Sequence, residues 1–180
     1  MTCHRSPTLR FCALTGLAAL AMALSACARH ARSPELPTPP AGAKLTADAP
    51  PAFDETRLID IPLPVGSTVR IGIAPETIQP DAQAGVVRYV AVARGISARA
   101  VSHESLRCNG GQWRVLARQQ PDGTWLAANG PWQDIQTARQ QSYLRILARD
   151  GMCVGNAINT DARAIERGLR TGGRGTIYPD

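Results

Sequence analysis

Beyond Phe53, apolar positions recur in short runs broken by turn residues. Val69-Arg70-Ile71-Gly72-Ile73 alternates with the period of two that sends successive side chains to opposite faces of a strand, and Val86 to Val92 is a β-branched run of strand length. Gln79 to Gly85, with Pro80 and Gly85 toward its ends, reads as the loop that joins them into a hairpin. A third strand is predicted from Arg99 to Cys108. Asn109-Gly110-Gly111 follows, and these residue types tolerate the positive φ that a tight hairpin turn demands. Gln112 to Gln119 forms a fourth strand, Pro121-Asp122-Gly123 turns again, and Thr124-Trp125-Leu126 begins a fifth. Regular spacing and short turns predict an antiparallel meander.

From Thr137 the period lengthens: Gln140, Tyr143, Leu144, Leu147 and Ala148 recur at three and four, with Gly151 as the stop. Ile158, Ala162, Ile165 and Leu169 share one face of a second helical segment. The fold class is therefore α+β, a small antiparallel sheet of about five strands followed by one or two C-terminal helices packed on it. The domain spans 53–170, and the glycine-rich 171–180 reads as a frayed tail.

The N-terminal pattern is of another kind. Met1 to Arg10 is basic through Arg5 and Arg10, and Phe11 to Leu24 is weakly polar to apolar without a charge, which are the n- and h-regions of a secretory signal. A spanning helix needs about 20 apolar residues, so this run is too short to read as a stable span. Leu24-Ser25-Ala26-Cys27 resembles the lipobox of bacterial lipoproteins. That resemblance implies cleavage after residue 26, a diacylglyceryl group on the Cys27 thiol, and an acylated new amino terminus carrying a chain such as palmitate. Small side chains suit an extended backbone entering a protease cleft, and a thiolate is nucleophilic enough to take the lipid. At about 0.8 kcal/mol per buried methylene, two or three acyl chains hold a protein on a membrane. Ala28, rather than Asp, after the cysteine points to the outer membrane, at its periplasmic face.

Residues 27–52 continue as a tether. Pro34, Pro37, Pro39, Pro40, Pro50 and Pro51 stand among Ala, Ser and Thr, so this stretch buries too little surface to offset its ordering entropy and reads as a disordered or polyproline-like spacer.

Length and charge then narrow the class. The 180 residues suit one domain, and the formal charge of +6 comes from 20 basic against 14 acidic side chains, with Lys44 the sole lysine. Arg70, Arg88, Arg94, Arg99, Arg107, Arg114 and Arg118 alternate singly with apolar residues instead of clustering, which reads as a solvated sheet face and argues against a nucleic-acid partner. In an anchored protein, such a face also comes within reach of anionic headgroups. Cys3 and Cys12 leave with the leader and Cys27 is assigned to lipid by the lipobox resemblance. Cys108 and Cys153 remain, and in an exported, oxidising compartment an even pair reads as a disulfide, here tying sheet to helix.

The order of residues within the domain resembles a family of uncharacterised proteobacterial lipoproteins named after a cryptic neisserial protein. The resemblance rests on Val86-Val87-Arg88-Tyr89, on Ala98 to Val101 leading through Ser102 and Glu104 to Leu106-Arg107-Cys108, on Trp113, Asp122-Gly123-Thr124-Trp125 and Trp132, and on Cys153. It covers residues 56–155, with Ala100 standing where such proteins usually carry Asn and His103 where an aromatic is commoner. It implies an envelope domain and no catalytic residue. The layout of anchor, sheet and tied helix is also similar to surface-adhesin lipoproteins.

Candidate chemistry is sparse. A thiol enzyme would need Cys108 free with His103 as its base, but five residues along one strand put the two on opposite faces. His103 beside Glu104 reads instead as a surface pair. The single histidine of the 53–170 domain and scattered carboxylates offer no metal-ligand spacing, and neither a nucleophile motif nor a phosphate loop is recognisable, so no cofactor is expected. Trp113, Trp125 and Trp132 all follow turns, and two readings stand: an aromatic surface for a glycan or an envelope protein, or the filling between sheet and helix. The expectation is a lipid-anchored binding or structural module and not an enzyme.

Overall fold

A computed structural model describes residues 43, 49–138 and 142–172, all within the unit that begins at Thr38. The leader, Cys27, most of the proline-rich segment, residues 139–141 of the expected helix and the tail beyond Gly172 lie outside the described residues.

Six strands follow one another as antiparallel neighbours in chain order: β1 (Ile59–Ile61), β2 (Arg70–Asp81), β3 (Val86–Arg94), β4 (Arg99–Arg107), β5 (Gln112–Gln119) and β6 (Trp125–Ala127). A seventh, β7 (Gln133–Asp134), pairs back onto the start of β5. The meander is as expected, with more strands than the pattern declares. β1 is too short to show a period of its own, and Asp60 between Ile59 and Ile61 is its whole alternation.

β2 runs further than expected, because Gln79, Pro80 and Asp81 pair with Arg88, Val87 and Val86, leaving only Ala82 to Gly85 as the loop. A wide bulge hides this continuation in the sequence: Pro75 to Ile78 all face the single residue Tyr89 of β3. The Thr77 hydroxyl donates to Ala74 O at 2.7 Å and accepts the Val90 N–H at 2.8 Å. It thereby takes up a donor that the interrupted ladder would orphan, and the strand resumes.

Both faces of the sheet are covered. One face carries Ile71, Ile73, Val87, Tyr89, Leu106 and Trp113 into the main core, against the helical residues Leu144, Leu147, Met152, Ile165 and Leu169. The other carries Ala74, Val90, Val92, Val101, Ala117 and Trp125, closed over by Phe53 and Leu58. Two-sided burial explains why β3 reads as a near-continuous apolar run instead of an alternation. Contact begins upstream of 53, since Ala43 O accepts the Ala127 N–H at 2.9 Å and Pro50 is buried.

The helical region differs in detail from its periodicity. α1 (Tyr143–Leu147) passes directly into a π-helical turn over Ala148–Met152, so Gly151 lies inside the turn and does not stop it. Ile158 belongs to a two-strand ribbon, β8 (Cys153–Val154) with β9 (Ala157–Ile158), and α2 (Ala162–Thr171) starts later, at the Asp161 cap whose side chain accepts the Arg163 N–H at 2.9 Å. Close backbone approach accounts for the widened turn. A Cβ at Gly168 would sit 2.3 Å from Asp150 O, and one at Gly151 would sit 2.8 Å from Ile165 O. Only glycines admit this crossing. Cys108 at the end of β4 is bonded to Cys153, which closes a separation of 45 residues. The chain-entropy estimate for such a loop is about 4 kcal/mol, close to the whole net stability of many domains.

Gly168→Ala forces backbone apart where no flexible side chain is available to yield. Urea unfolding of this variant is expected to show a loss of at least about 2 kcal/mol; a loss under about 0.5 kcal/mol would mean that the crossing is looser than described.

Candidate functional site

Consecutive residues of β4 enter different interiors. Glu104 pairs with Tyr89 on the helix-covered face, while His103 pairs with Val90 and Ala117 on the other. The expected surface pair is therefore not formed: His103 is 7 % and Glu104 3 % exposed. The reason is the two-sided burial of the sheet, which leaves a central strand no solvent face.

Glu104 is held by hydroxyls. Ser102 Oγ donates to Oε1 at 2.6 Å, Tyr89 OH lies 3.0 Å from Oε2, and Tyr143 OH lies 2.9 Å from both oxygens. Burial pushes its pKa up against the opposing pull of these hydrogen bonds. Tyr89 and Tyr143 are in turn held well above the ordinary phenol range, by burial first and by the Glu104 charge second. Tyr143 opens α1, so this cluster docks the helix on the sheet. On the opposite face His103 meets Trp125 edge-on, with centroids 6.5 Å apart. Burial, aided by the Arg88 charge, lowers its pKa to about 4.

The cysteines and tryptophans separate just as sharply. Cys108 and Cys153 are joined, so neither offers a thiol, and His103 faces away from them. Trp113 and Trp125 are buried in different cores on opposite faces. Trp132 is half-buried and lies under two cations, the Arg107 and Arg114 guanidinium carbons, 4.2 and 4.6 Å from its ring centre. The three tryptophans thus form no common aromatic surface, and only Trp132 is placed to meet a ligand.

Most of the alternating arginines have partners. Arg88 pairs with Asp81 at 3.1 Å, and Arg94 and Arg99 share Glu55. Arg107 is held by Trp132 and by Gln112 Oε1 at 3.4 Å, and as a residue it lines, with Arg145 and Arg149, a cleft of about 340 Å³ beside the disulfide, walled by Gly111, Ile135 and Gln136. Arg149 is fixed by Asp150, with Nε and Nη2 at 2.5 and 2.9 Å from its two oxygens. The helical period leaves Arg145 outward beside buried Tyr143, Leu144 and Leu147, a placement legible in the sequence. That this segment lies beside the end of β4 was not legible, because the disulfide, the Tyr143–Glu104 contact and the core packing that place it join residues far apart in the chain. Among the described residues no group of three or more His, Cys, Asp or Glu side chains is placed to hold a metal ion.

Comparison with known proteins adds a family. The model of the CNP1-like family matches residues 41–170, which takes in the whole sheet, the disulfide and nearly all of α2. No curated protein and no solved structure matches the chain.

His103 and Glu104 bend stability with pH in opposite senses. The lowered histidine pKa contributes stability that is complete above about pH 6.5 and is lost as pH falls toward 4, a difference of roughly 3 kcal/mol. The raised carboxyl pKa contributes stability that is complete below its ordinary value of 4.5 and is lost as pH rises through the shifted one. Glu55, lowered by Arg99 and Arg94, and Asp81, lowered by the Ala84 N–H and Arg88, act below pH 4.5, so the histidine is read between 6.5 and 4.5. Urea unfolding across pH 4 to 9 is expected to show His103→Gln abolishing the fall between 6.5 and 4.5, and Glu104→Gln abolishing the opposing loss that sets in as pH rises above 4.5. An unchanged acid limb in His103→Gln would contradict the assignment.

Proposed function

We propose, on the premise that the chain belongs to the CNP1-like family, that it is a cell-envelope protein anchored by lipid on Cys27. In this reading the folded domain is a binding module, held off the periplasmic face of the outer membrane by the proline-rich segment. The Cys108–Cys153 bond is the observation that carries it. Such bonds persist in oxidising compartments outside the cytosol, and this one withdraws the domain's two cysteines from other chemistry. Cys27 is then the cysteine left to follow the signal-like run, in the lipobox-like Leu24-Ser25-Ala26-Cys27. Two acyl chains or more give stable membrane attachment, where a single one is reversible. A binding role is favoured over thiol catalysis because a nucleophile at Cys108 would need a free sulfur, which the bond to Cys153 takes up, and the expected base His103 lies on the other face of the sheet.

Growth of the native host with an alkyne-tagged palmitate is expected to label the wild-type protein and not Cys27→Ser, with the wild type in the membrane fraction after carbonate washing. Label retained by Cys27→Ser, or wild-type protein that is unlabelled and freely soluble, would refute the anchor.

A further inference from the structure

Four large apolar side chains stand exposed among the described residues, and three of them lie at one end of the sheet. Val65 (107 % exposed) and Val69 (38 %) belong to the loop between β1 and β2, and Ile96 (93 %) to the turn between β3 and β4. The register puts both connections at the same end, because Arg70 at the start of β2 pairs with Arg94 at the end of β3, and Arg94 with Arg99 at the start of β4. Single exposed apolar residues are ordinary on a protein surface. These have an unusual setting. Residues 62–69 and 95–98 contain no charged side chain, and arginines border both stretches: Arg70 follows Val69, and Arg94 and Arg99 flank Gly95-Ile96-Ser97-Ala98. Glu55 bridges Arg94 and Arg99, and Arg70 forms no ion pair among the described residues, so three arginines against one glutamate leave this row a net charge of +2. Two further carboxylates stand off the row, Asp60 opposite Gly72 further along β2 and Asp122 on the turn after β5. Apolar tips ahead of a cationic row suit an anionic bilayer, the tips entering the boundary of headgroups and acyl chains and the guanidiniums staying level with the phosphates. A protein partner would need one contiguous, shape-matched patch, whereas separate turns can each enter a fluid bilayer.

We propose that the β1–β2 loop and the β3–β4 turn dock the domain on an anionic phospholipid surface, with Val65 and Ile96 inserted and Arg70, Arg94 and Arg99 at the headgroups. The proposal names the partner of the binding module and rests on the preceding section in taking a membrane to be within reach. The point where the N-terminal segment meets the domain supports it. Ala43 bonds to Ala127 of β6, two residues past the Trp125–Gln119 pair, and Gln119 accepts from Arg99 at 3.3 Å, so an anchor at Cys27 joins the domain close to this end. A spacer limits how far the domain stands from the bilayer and leaves it free to return, which makes even weak docking effective. In the test, the full chain carrying Cys27→Ser receives an environment-sensitive fluorescent amino acid in place of Val65, Ile96 or Val154. Val154, the fourth exposed apolar residue, sits beside the disulfide at the opposite end of the sheet. The chain is mixed with vesicles of equal parts phosphatidylglycerol and phosphatidylcholine. Emission from positions 65 and 96 is expected to shift to the blue and to be quenched by lipids doxyl-labelled near the top of their chains, while position 154 keeps its aqueous emission. Arg70→Glu is expected to weaken this lipid dependence about tenfold or more, as is pure phosphatidylcholine. Aqueous emission from positions 65 and 96 at millimolar lipid, equal quenching at all three positions, or indifference to phosphatidylglycerol or to Arg70→Glu overturns the proposal. Every arm lacks the Cys27 thiol, so failure here leaves the anchor standing, and failure of palmitate labelling leaves the docking standing.

Discussion

The bond between Cys108 and Cys153 is the constraint through which sheet, helices and cleft depend on one another. It is formed where β4 ends and the π-helical turn gives way to the β8–β9 ribbon, so it fixes the level at which the helical segment meets the sheet. With that point fixed, Arg145 and Arg149 from the helical segment lie beside the end of β4 and line one cleft with it.

Two noncovalent features extend what the bond begins. Tyr143 brings α1 to the buried Glu104, and the glycine crossing at Gly151 and Gly168 lets α2 lie against the π-helical turn at backbone distance. These are unlike in kind. The carboxyl among hydroxyls is directional and sensitive to pH, whereas the glycine contact is steric and insensitive to it. Together they hold the helices on one face of the sheet, and the opposite face, sealed around Trp125 and Val90, takes His103 in its neutral form.

Much of the meander was legible because each of its hairpins carries its own local chemistry. Asn109-Gly110-Gly111 and Pro121-Asp122-Gly123 stand where the turns are, and Gln112–Gln119 is a strand as its pattern says. The misreadings share a physical origin. Gln79 to Asp81 were expected in a loop because a bulge and two prolines conceal a strand whose ladder is repaired by the Thr77 hydroxyl, a contact between residues 13 apart in the chain. His103 and Glu104 were expected at the surface because charge and adjacency are local properties, while the covering of both sheet faces is not. Gly151 resembled a helix stop because glycine usually is one, yet here its missing Cβ makes room for another helix.

The sequence by itself determined what depends on near neighbours: strand order, turn positions, the pairing of the two domain cysteines by elimination, and the lipobox-like motif that motivates the anchor. Tertiary structure alone decided which side chains meet. It sent Trp113 and Trp125 into separate cores, left Trp132 beside Arg107 and Arg114, enclosed Glu104 in hydroxyls, and set Arg145 and Arg149 of the helical segment beside the end of β4. The reason is that alternation along a strand tells which residues share a face, whereas the burial of that face depends on segments far along the chain that pack over it.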